Sequence, residues 1–171
     1  MRSLIYGYGD TGKSFERYLK DKKIDFDIFD SNIDEYNQNY NFQDFEQILC
    51  SPGVPKDIFE NIKSQNINTF TDIDIFFNED TSIKIGITGT NRKSTTAFHL
   101  HQLFNKYKPS NLVGNIGNTM LDFINNGKEF SIIELSSFQL DKMNQNRLDF
   151  GILLNIEEDH LDYHGDFKSY K

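Results

Sequence analysis

An α/β fold with parallel sheets is the fold class that the sequence predicts, from three observations. Short apolar strands alternate with helical patterns along the chain, which is the order typical of parallel sheets. A glycine-rich loop follows a predicted strand twice, at residues 7–12 and again at residue 89. The runs at residues 130–135 and 150–156 are continuously apolar, as in strands covered on both faces. The chain should therefore contain two consecutive α/β units.

The first unit begins with an apolar strand at residues 2–6, which leads directly into GYGDTG, a GxGxxG loop. The next segment has Phe15, Tyr18 and Leu19 at i, i+3 and i+4, so it predicts a helix with one apolar face. A second strand then ends at Asp30. In a dinucleotide-type βαβ unit such glycines let a phosphate approach and the acid binds a ribose hydroxyl. A tight turn packed against its helix is the structural alternative.

The rest of the first unit is less regular. Residues 31–45 are rich in Asn, Asp, Gln and Tyr and predict a loop. A strand, a helix that starts at a proline, a short strand and a short helix are predicted at residues 47–50, 55–65, 68–70 and 72–77. The polar run at residues 78–82 is the predicted linker. The length of 171 residues favours one domain, but two loops that each begin a βαβ unit favour two, at residues 1–78 and 79–171.

The second unit carries the pattern TGTNRKST, in which a strand, a glycine turn and a helix start follow one another. Backbone N–H groups at a helix start are unpaired and carry about half a positive charge, so they suit a phosphate. Lys93 would add a full charge, and the Ser94 hydroxyl is placed to bind Mg²⁺. The loop departs from a strict P-loop, because Ile87 and Arg92 occupy the usual glycine positions. A strand-to-helix turn capped by Ser or Thr would also explain these residues.

Polar side chains follow the apolar strands of the second unit. Ligands of parallel sheets gather at the carboxyl ends of the strands, where Lys93, Glu134 and His160 are all expected. Glu134 would hold Mg²⁺ together with Ser94, or it is a solvated carboxylate beside a turn. His160 lies in the acidic string EEDHLDYH, where it could bind a metal, orient a carboxylate or be structural. The helix after Lys93 should end near Pro109.

Charge and composition limit the classes of function. The net charge of −8 argues against a nucleic-acid partner, because affinity for phosphate backbones comes mostly from Lys and Arg. Cys50 is the single cysteine, so no internal disulfide can form, which fits a reducing compartment. No run approaches the ~18 apolar residues of a membrane span, and the N-terminus does not resemble a signal peptide. We expect a cytoplasmic protein with no membrane partner, and a monomer.

Four strings, TGTNRKST, GNIG, ELSSFQL and NIEEDHLDYHG, resemble in order and separation those of the Mur ligase family. The resemblance covers essentially the whole chain, and four ordered motifs make it specific. It implies a three-domain, ATP-dependent, peptide-bond-forming enzyme of peptidoglycan synthesis, most similar to members that join D-glutamate to UDP-N-acetylmuramoyl-L-alanine. The chain would then be a Rossmann-like N-terminal domain followed by an incomplete P-loop-type parallel α/β domain, without the C-terminal domain that binds D-glutamate. We do not expect this N-terminal portion to be active as a ligase alone.

The resemblance also implies residue roles. Phosphoryl transfer from ATP to the alanyl carboxylate would give an acyl phosphate, which the amine of D-glutamate attacks. The substrate would be bound by one set of residues: Asp10, Thr11, Ser31, Asn32, Asn115 and Ser136. The ATP loop would comprise Gly89, Thr90, Asn91, Arg92, Lys93, Ser94 and Thr95. Lys93, Glu134 and His160 would be catalytic. Two Mg²⁺ ions would be held by Ser94, Glu134 and His160.

The sequence departs from the family pattern at positions 92 and 32. The family has glycine at position 92, so Arg92 should weaken ATP turnover through ~1 to 3 kcal/mol of strain. Members often carry a basic residue at position 32, which leaves the contact of Asn32 open.

A non-catalytic UDP-sugar-binding module, or a relic of the ligase, is one alternative function. A NAD-dependent oxidoreductase is the other, resting on GYGDTG and Asp30, and the second phosphate loop counts against it.

Overall fold

The computed structural model of the protein describes residues 2–171. The first unit contains a sheet of four parallel strands in the order β2-β1-β3-β4. These strands are β1 (Arg2–Tyr6), β2 (Asp25–Phe29), β3 (Gln47–Cys50) and β4 (Thr69–Phe70). Its helices are α1 (Asp10–Asp21), α2 (Lys56–Gln65) and α3 (Asp72–Glu79). The polar segment predicted as a loop contains two short 3₁₀ turns, Asp34–Tyr36 and Phe42–Asp44.

The second unit contains another sheet of four parallel strands, in the order β6-β7-β5-β8. Its strands are β5 (Ile83–Thr88), β6 (Ser110–Gly114), β7 (Phe130–Glu134) and β8 (Phe150–Leu153). Its helices are α4 (Lys93–Phe104), α5 (Ser137–Lys142), α6 (Leu161–His164) and α7 (Phe167–Tyr170). The predicted fold class is therefore confirmed, with two parallel four-stranded sheets.

One hydrophobic core joins the two units. Ile5, Phe15 and Leu19 of the first unit belong to the same buried cluster as Val113 and Ile133 of the second. Burial of apolar surface is the main favourable term in folding, so a shared cluster opposes independent movement of the sheets. The two sheets are thus held in one arrangement by packing.

The prediction that residues 78–82 form a polar linker without regular structure is wrong. Its first two residues complete α3, and Asp80 and Ser82 are buried. Asp80 accepts hydrogen bonds from the main-chain N–H of Ser82 and of Asn125, at 3.1 and 2.9 Å. Lys84 donates to the Asp80 carbonyl at 2.6 Å. Local polarity suggested a solvated loop, whereas these side chains bond to one another inside the fold. The division at residue 78 itself stays a prediction.

Three other predictions for the second unit need correction. α4 ends at Phe104 and not near Pro109, because the N–H groups of residues 105–108 bond back to the last turn of the helix. Strand β6 was not predicted, since it begins with the polar residues Ser110 and Asn111, which are buried. β8 ends at Leu153 and is an edge strand whose Phe150 and Leu153 are 62% and 61% exposed. The expectation that both faces of every strand are covered is therefore wrong for β8.

Candidate active site

A cavity of about 470 Å³ lies at the carboxyl ends of β1, β2 and β3. Its wall includes residues 7–11 of the GYGDTG loop, the residues after β2 and the SPG turn after β3. Five of the six predicted substrate residues line it: Asp10, Thr11, Ser31, Asn32 and Asn115. The α1 helix begins at this loop, so its first N–H groups, which lack helical partners, lie in the same region. The cavity therefore combines a helix start with a glycine loop, a combination suited to a phosphate.

The glycine loop is held by close backbone packing. A Cβ on Gly12 would lie 2.2 Å from the Gly7 carbonyl oxygen, so only glycine allows α1 to begin this close to β1. The Asp30 carboxylate accepts hydrogen bonds from the N–H groups of Tyr8 and Asn32, at 2.7 and 2.9 Å. Each Asp30 oxygen is therefore engaged by the protein's own backbone. Asp30 orders this loop in addition to facing the cavity.

The predicted nucleotide loop connects β5 to α4. Arg92 is the N-cap of α4 and has a left-handed conformation, with φ 67° and ψ 16°. The Lys93 ammonium donates to the carbonyls of Gly89 and Thr90, at 2.7 and 2.9 Å. Position 92 thus requires the backbone geometry that glycine adopts without strain, as the departure from the P-loop pattern suggested.

Asn155, just after β8, hydrogen-bonds to this loop at three points. Its side-chain Oδ1 accepts from the Asn91 N–H at 2.7 Å, and its Nδ2 donates to the Asn91 carbonyl at 3.1 Å. Its own carbonyl accepts from the Thr90 N–H at 3.0 Å. These bonds explain why β8 stops at Leu153 and not at residue 156, because the chain turns to pair with the loop.

A second cavity, of about 340 Å³, lies beside the nucleotide loop. It brings together five predicted site residues: Gly89, Lys93, Asn115, Ser136 and His160. The other loop residues, Thr90, Asn91, Arg92, Ser94 and Thr95, do not line it, and Ser94 and Thr95 are exposed on the first turn of α4. Asn115 lies in the wall of both cavities. This shared residue makes the two cavities neighbours.

Glu134, the last residue of β7, has a buried carboxylate and is not among the residues that line either cavity. Its side chain is buried, with the residue 1% exposed, and its Oε1 accepts from Asn115 Nδ2 at 3.1 Å. Its Oε2 is buried without a hydrogen-bond partner. A buried carboxylate oxygen without a donor is costly unless a proton or a cation meets it. Oxygen ligands of this kind are those that Mg²⁺ prefers, so Glu134 fits the metal that the sequence predicted there.

The other two predicted metal ligands are less closely associated with Glu134. His160 is exposed, has a left-handed φ of 50°, and its Nε2 lies 3.5 Å from Asp159 Oδ2. Its ring lies 4.8 Å from that of Phe138. Among residues 2–171, no group of three or more His, Cys, Asp or Glu side chains is arranged to hold a metal ion. Joint metal binding by Ser94, Glu134 and His160 therefore stays a prediction.

Comparisons with known proteins identify the family. Residues 87–171 match the family model of the Mur ligase middle domain. The chain is also 39% identical, over 98% of its length, to the UDP-N-acetylmuramoylalanine--D-glutamate ligase of Francisella tularensis subsp. novicida (strain U112). This chain belongs to the Mur ligase family. It spans 42% of the length of that relative.

A second relative and one solved structure are also similar to this chain. The enzyme of the same name from Francisella tularensis subsp. tularensis (strain WY96-3418) is 38% identical over 98% of the chain and 42% of that relative. Among solved structures, a pseudomurein peptide ligase type C from Methanothermus fervidus aligns with 99% of the chain and 40% of its own, at 17% identity and a TM-score of 0.44. Residues 2–171 contain no helix with the length and apolar character needed to cross a bilayer.

The sequence did not single out the aromatic side chains in and beside the second cavity, among which Phe138 and Tyr170 line it. Phe138 stacks on His164 with 6.0 Å between ring centroids, and His164 Nε2 lies 3.0 Å from Ser137 Oγ. Burial lowers the pKa of His164, which favours its neutral form. Tyr170 Oη lies 2.8 Å from Thr90 Oγ1 of the nucleotide loop. The sequence signal for this cluster is the set of aromatic residues in EEDHLDYH and just after it, whereas only His160 of this string was predicted to belong to a site.

Proposed function

We propose that this chain supplies the UDP-substrate and ATP sites of a ligase that joins D-glutamate to UDP-N-acetylmuramoyl-L-alanine in peptidoglycan synthesis in the cytoplasm. The observation that carries the proposal is the position of Asn115 in the wall of both cavities, bonded to the buried Glu134. A transfer between two bound molecules requires that their sites adjoin. The identity to the Francisella ligases extends over both units and supports the same activity.

The larger cavity is the proposed site of the uridine diphosphate. Asp10 and Thr11 begin α1 at the glycine loop, so their N–H groups suit the diphosphate. Ser31 and Asn32 follow β2 and would contact the uracil end. Asn115 would contact the muramoyl group where the two cavities meet, with Ser136 on the other side of that junction. The acceptor amine of D-glutamate has no assigned residue in this chain.

The smaller cavity is the proposed site of ATP. Lys93 and the start of α4 would stabilise the charge that develops on the transferring phosphoryl oxygens. Glu134, Ser94 and His160 would hold Mg²⁺, which would neutralise phosphate charge when bound. The γ-phosphoryl group would pass to the alanyl carboxylate, leaving ADP and an acyl phosphate. The amine of D-glutamate would then displace phosphate and form the amide bond.

Binding measurements on this chain test the proposal. Isothermal titration with UDP-N-acetylmuramoyl-L-alanine and, separately, with ATP and Mg²⁺ should each give saturable binding. In the same titrations, Glu134→Gln should abolish the Mg²⁺ dependence of ATP binding and leave the affinity for the UDP-substrate within about twofold of the original chain. Absence of binding by either ligand to the unsubstituted chain would contradict the corresponding half of the proposal.

One observation favours the second candidate function, a UDP-sugar-binding module that does not use ATP. Arg92 occupies the strained position of the nucleotide loop, and the N–H of Asn91 already donates to Asn155. Both features reduce what the loop can offer a phosphate. Binding of the UDP-substrate without binding of ATP would support this candidate. Tight binding of NAD, with no affinity for UDP, would instead revive the oxidoreductase hypothesis.

A further inference from the structure

Lys142, the last residue of α5, is a buried lysine bonded to main-chain carbonyls. It is 2% exposed, and its ammonium donates to the carbonyl oxygens of Pro52, at 2.6 Å, and of Val54. The ammonium also lies over the rings of Phe59 and Tyr163, 5.8 and 5.7 Å from their centroids. Burial lowers the pKa of Lys142, as expected for a charge removed from water.

Burial of the Lys142 ammonium is unfavourable unless hydrogen bonds replace the contacts with water that the charge loses. Moving an ammonium out of water carries a large desolvation penalty, and methionine would fill the same elongated space without it. The penalty is offset here by two charge-assisted hydrogen bonds to carbonyl oxygens and by the two aromatic rings. The acceptors are therefore what distinguishes lysine from an apolar residue at this position.

Both acceptors belong to the turn that follows β3, residues 51–54. Inside the turn the Val54 N–H donates to the Ser51 carbonyl at 3.1 Å. The Ser51 hydroxyl donates to the Gly7 carbonyl at 2.7 Å, which joins the turn to the glycine loop. All four residues of the turn line the 470 Å³ cavity. Lys142 thus bonds, from outside the cavity, the segment that forms part of its wall.

The helix that carries Lys142 also contacts the second cavity. α5 has six residues and begins with a capping box in which Ser136 accepts from the Gln139 N–H. Ser136 and Ser137 line the second cavity. One short helix therefore touches the second cavity at its first turn and the wall of the first cavity at its last residue.

We propose that Lys142 is a positioning residue that fixes the 51–54 turn in the conformation needed to bind the uridine diphosphate part of the substrate. The inference rests on the proposed function for the identity of that ligand. The effect of Lys142 on the turn does not depend on the proposed function, because the hydrogen bonds to Pro52 and Val54 would produce it alone. Lys142 touches neither substrate nor nucleotide in this assignment and acts through the carbonyls of Pro52 and Val54.

The test compares Lys142→Met with a matched control in the same chain. Lys56, the first residue of α2, forms an ion pair with Asp141 of α5 at 2.9 Å, close to Lys142, but it is 40% exposed at its side chain. Lys56→Met therefore removes a lysine from this interface without touching the turn carbonyls. Lys142→Arg, which keeps a cation and its donors, is the second variant should the methionine variant fail to fold.

Two measurements separate positioning from general stability. Amide hydrogen exchange should become about tenfold faster at Val54 in Lys142→Met, and stay unchanged in Lys56→Met, because two charge-assisted bonds to the turn are lost. Affinity for UDP should fall by about tenfold in Lys142→Met, with ATP affinity within about twofold of the original chain. Lys142→Arg should show a smaller loss in both quantities.

Unchanged Val54 exchange in Lys142→Met would overturn the proposal, and so would equal losses of UDP and ATP affinity. A chain that does not bind UDP at all would contradict the proposed function. In that case the exchange measurement still decides whether Lys142 holds the turn.

Discussion

Replacement of Arg92 by glycine tests the central departure from the P-loop pattern. Arg92 has φ 67° and ψ 16°, inside the left-handed region. A residue with a Cβ pays roughly 1 to 2 kcal/mol there, and glycine pays almost none. Glycine also loses more backbone entropy on folding, about 0.5 to 1 kcal/mol. The net expectation for Arg92→Gly is a stabilisation of about 0.5 to 1 kcal/mol, or about 1 to 4 °C in the unfolding midpoint for a chain of this size.

Arg92→Ala is the control that separates strain from charge. Alanine keeps the Cβ and therefore the strain, but it removes the exposed guanidinium. Thermal unfolding of the three proteins should show that only the glycine variant is more stable than the original chain. ATP affinity, measured by titration with Mg²⁺, should also be higher for the glycine variant than for the alanine variant, because a phosphate can approach the backbone more closely. Equal midpoints for glycine and alanine would refute the strain argument, and equal ATP affinities would refute the argument about phosphate approach.

Three further predictions concern polar side chains, of which Glu134 and Asp72 are buried and Asn155 is partly exposed. Glu134→Gln should lower Mg²⁺-dependent ATP affinity at least about tenfold in calorimetry, since the partnerless Oε2 would lose its charge; unchanged Mg²⁺ dependence would contradict it. Asn155→Ala should destabilise the chain by about 1 to 2 kcal/mol in urea unfolding and speed exchange at Asn91, because two side-chain bonds to the loop are lost; slow exchange at Asn91 would contradict it. Burial raises the pKa of Asp72 from 3.8 to about 6, so its proton stabilises the folded state at low pH. That contribution, up to about 3 kcal/mol, should be lost as pH rises from about 4 to 6, and the slope should be absent in Asp72→Asn.

The sign of the Asp72 prediction follows from where the proton is bound. Between the unfolded and folded pKa values the folded state holds more protons than the unfolded state, so the free energy of unfolding falls as pH rises. Asp72 is 4% exposed and its Oδ1 has no hydrogen-bond partner, which explains the preference for the neutral form. Identical pH profiles of the original chain and Asp72→Asn would show that this carboxyl has no such role.

Every strand except β6, and both glycine loops, could be predicted because their signals are local. The alternating isoleucines of β5 and the glycines before α1 determine their own backbone geometry, so the fold class followed from the order of such elements. β6 could not be predicted, since Ser110 and Asn111 become buried only through partners elsewhere. Ser110 N–H bonds to Asn105 Oδ1, and Asn111 Nδ2 lies 3.3 Å from Ser131 Oγ. Tertiary contacts overrode polarity there.

The candidate site shows the same division between local and long-range information. Glu134 ends strand β7 and Lys93 follows strand β5, and the rule for parallel sheets brings the two residues to one edge. Asn155 and Lys142 act on loops far away in the chain, the nucleotide loop and the 51–54 turn. In the sequence, Asn155 is one more polar residue after a strand and Lys142 is one more lysine on a helix. Only the packed structure gives either residue its partners.

The hydrogen bond between Asn115 and Glu134 fixes which side-chain atom of Asn115 can accept a bond from a ligand. Because Asn115 Nδ2 donates to Glu134 Oε1, the amide is oriented by a buried carboxylate. Its carbonyl oxygen is then the group left to accept a hydrogen bond from a ligand in either cavity. Because a glutamine side chain keeps an oxygen that can accept this bond, Glu134→Gln should preserve the orientation of Asn115, and the affinity for the UDP-substrate should stay within about twofold.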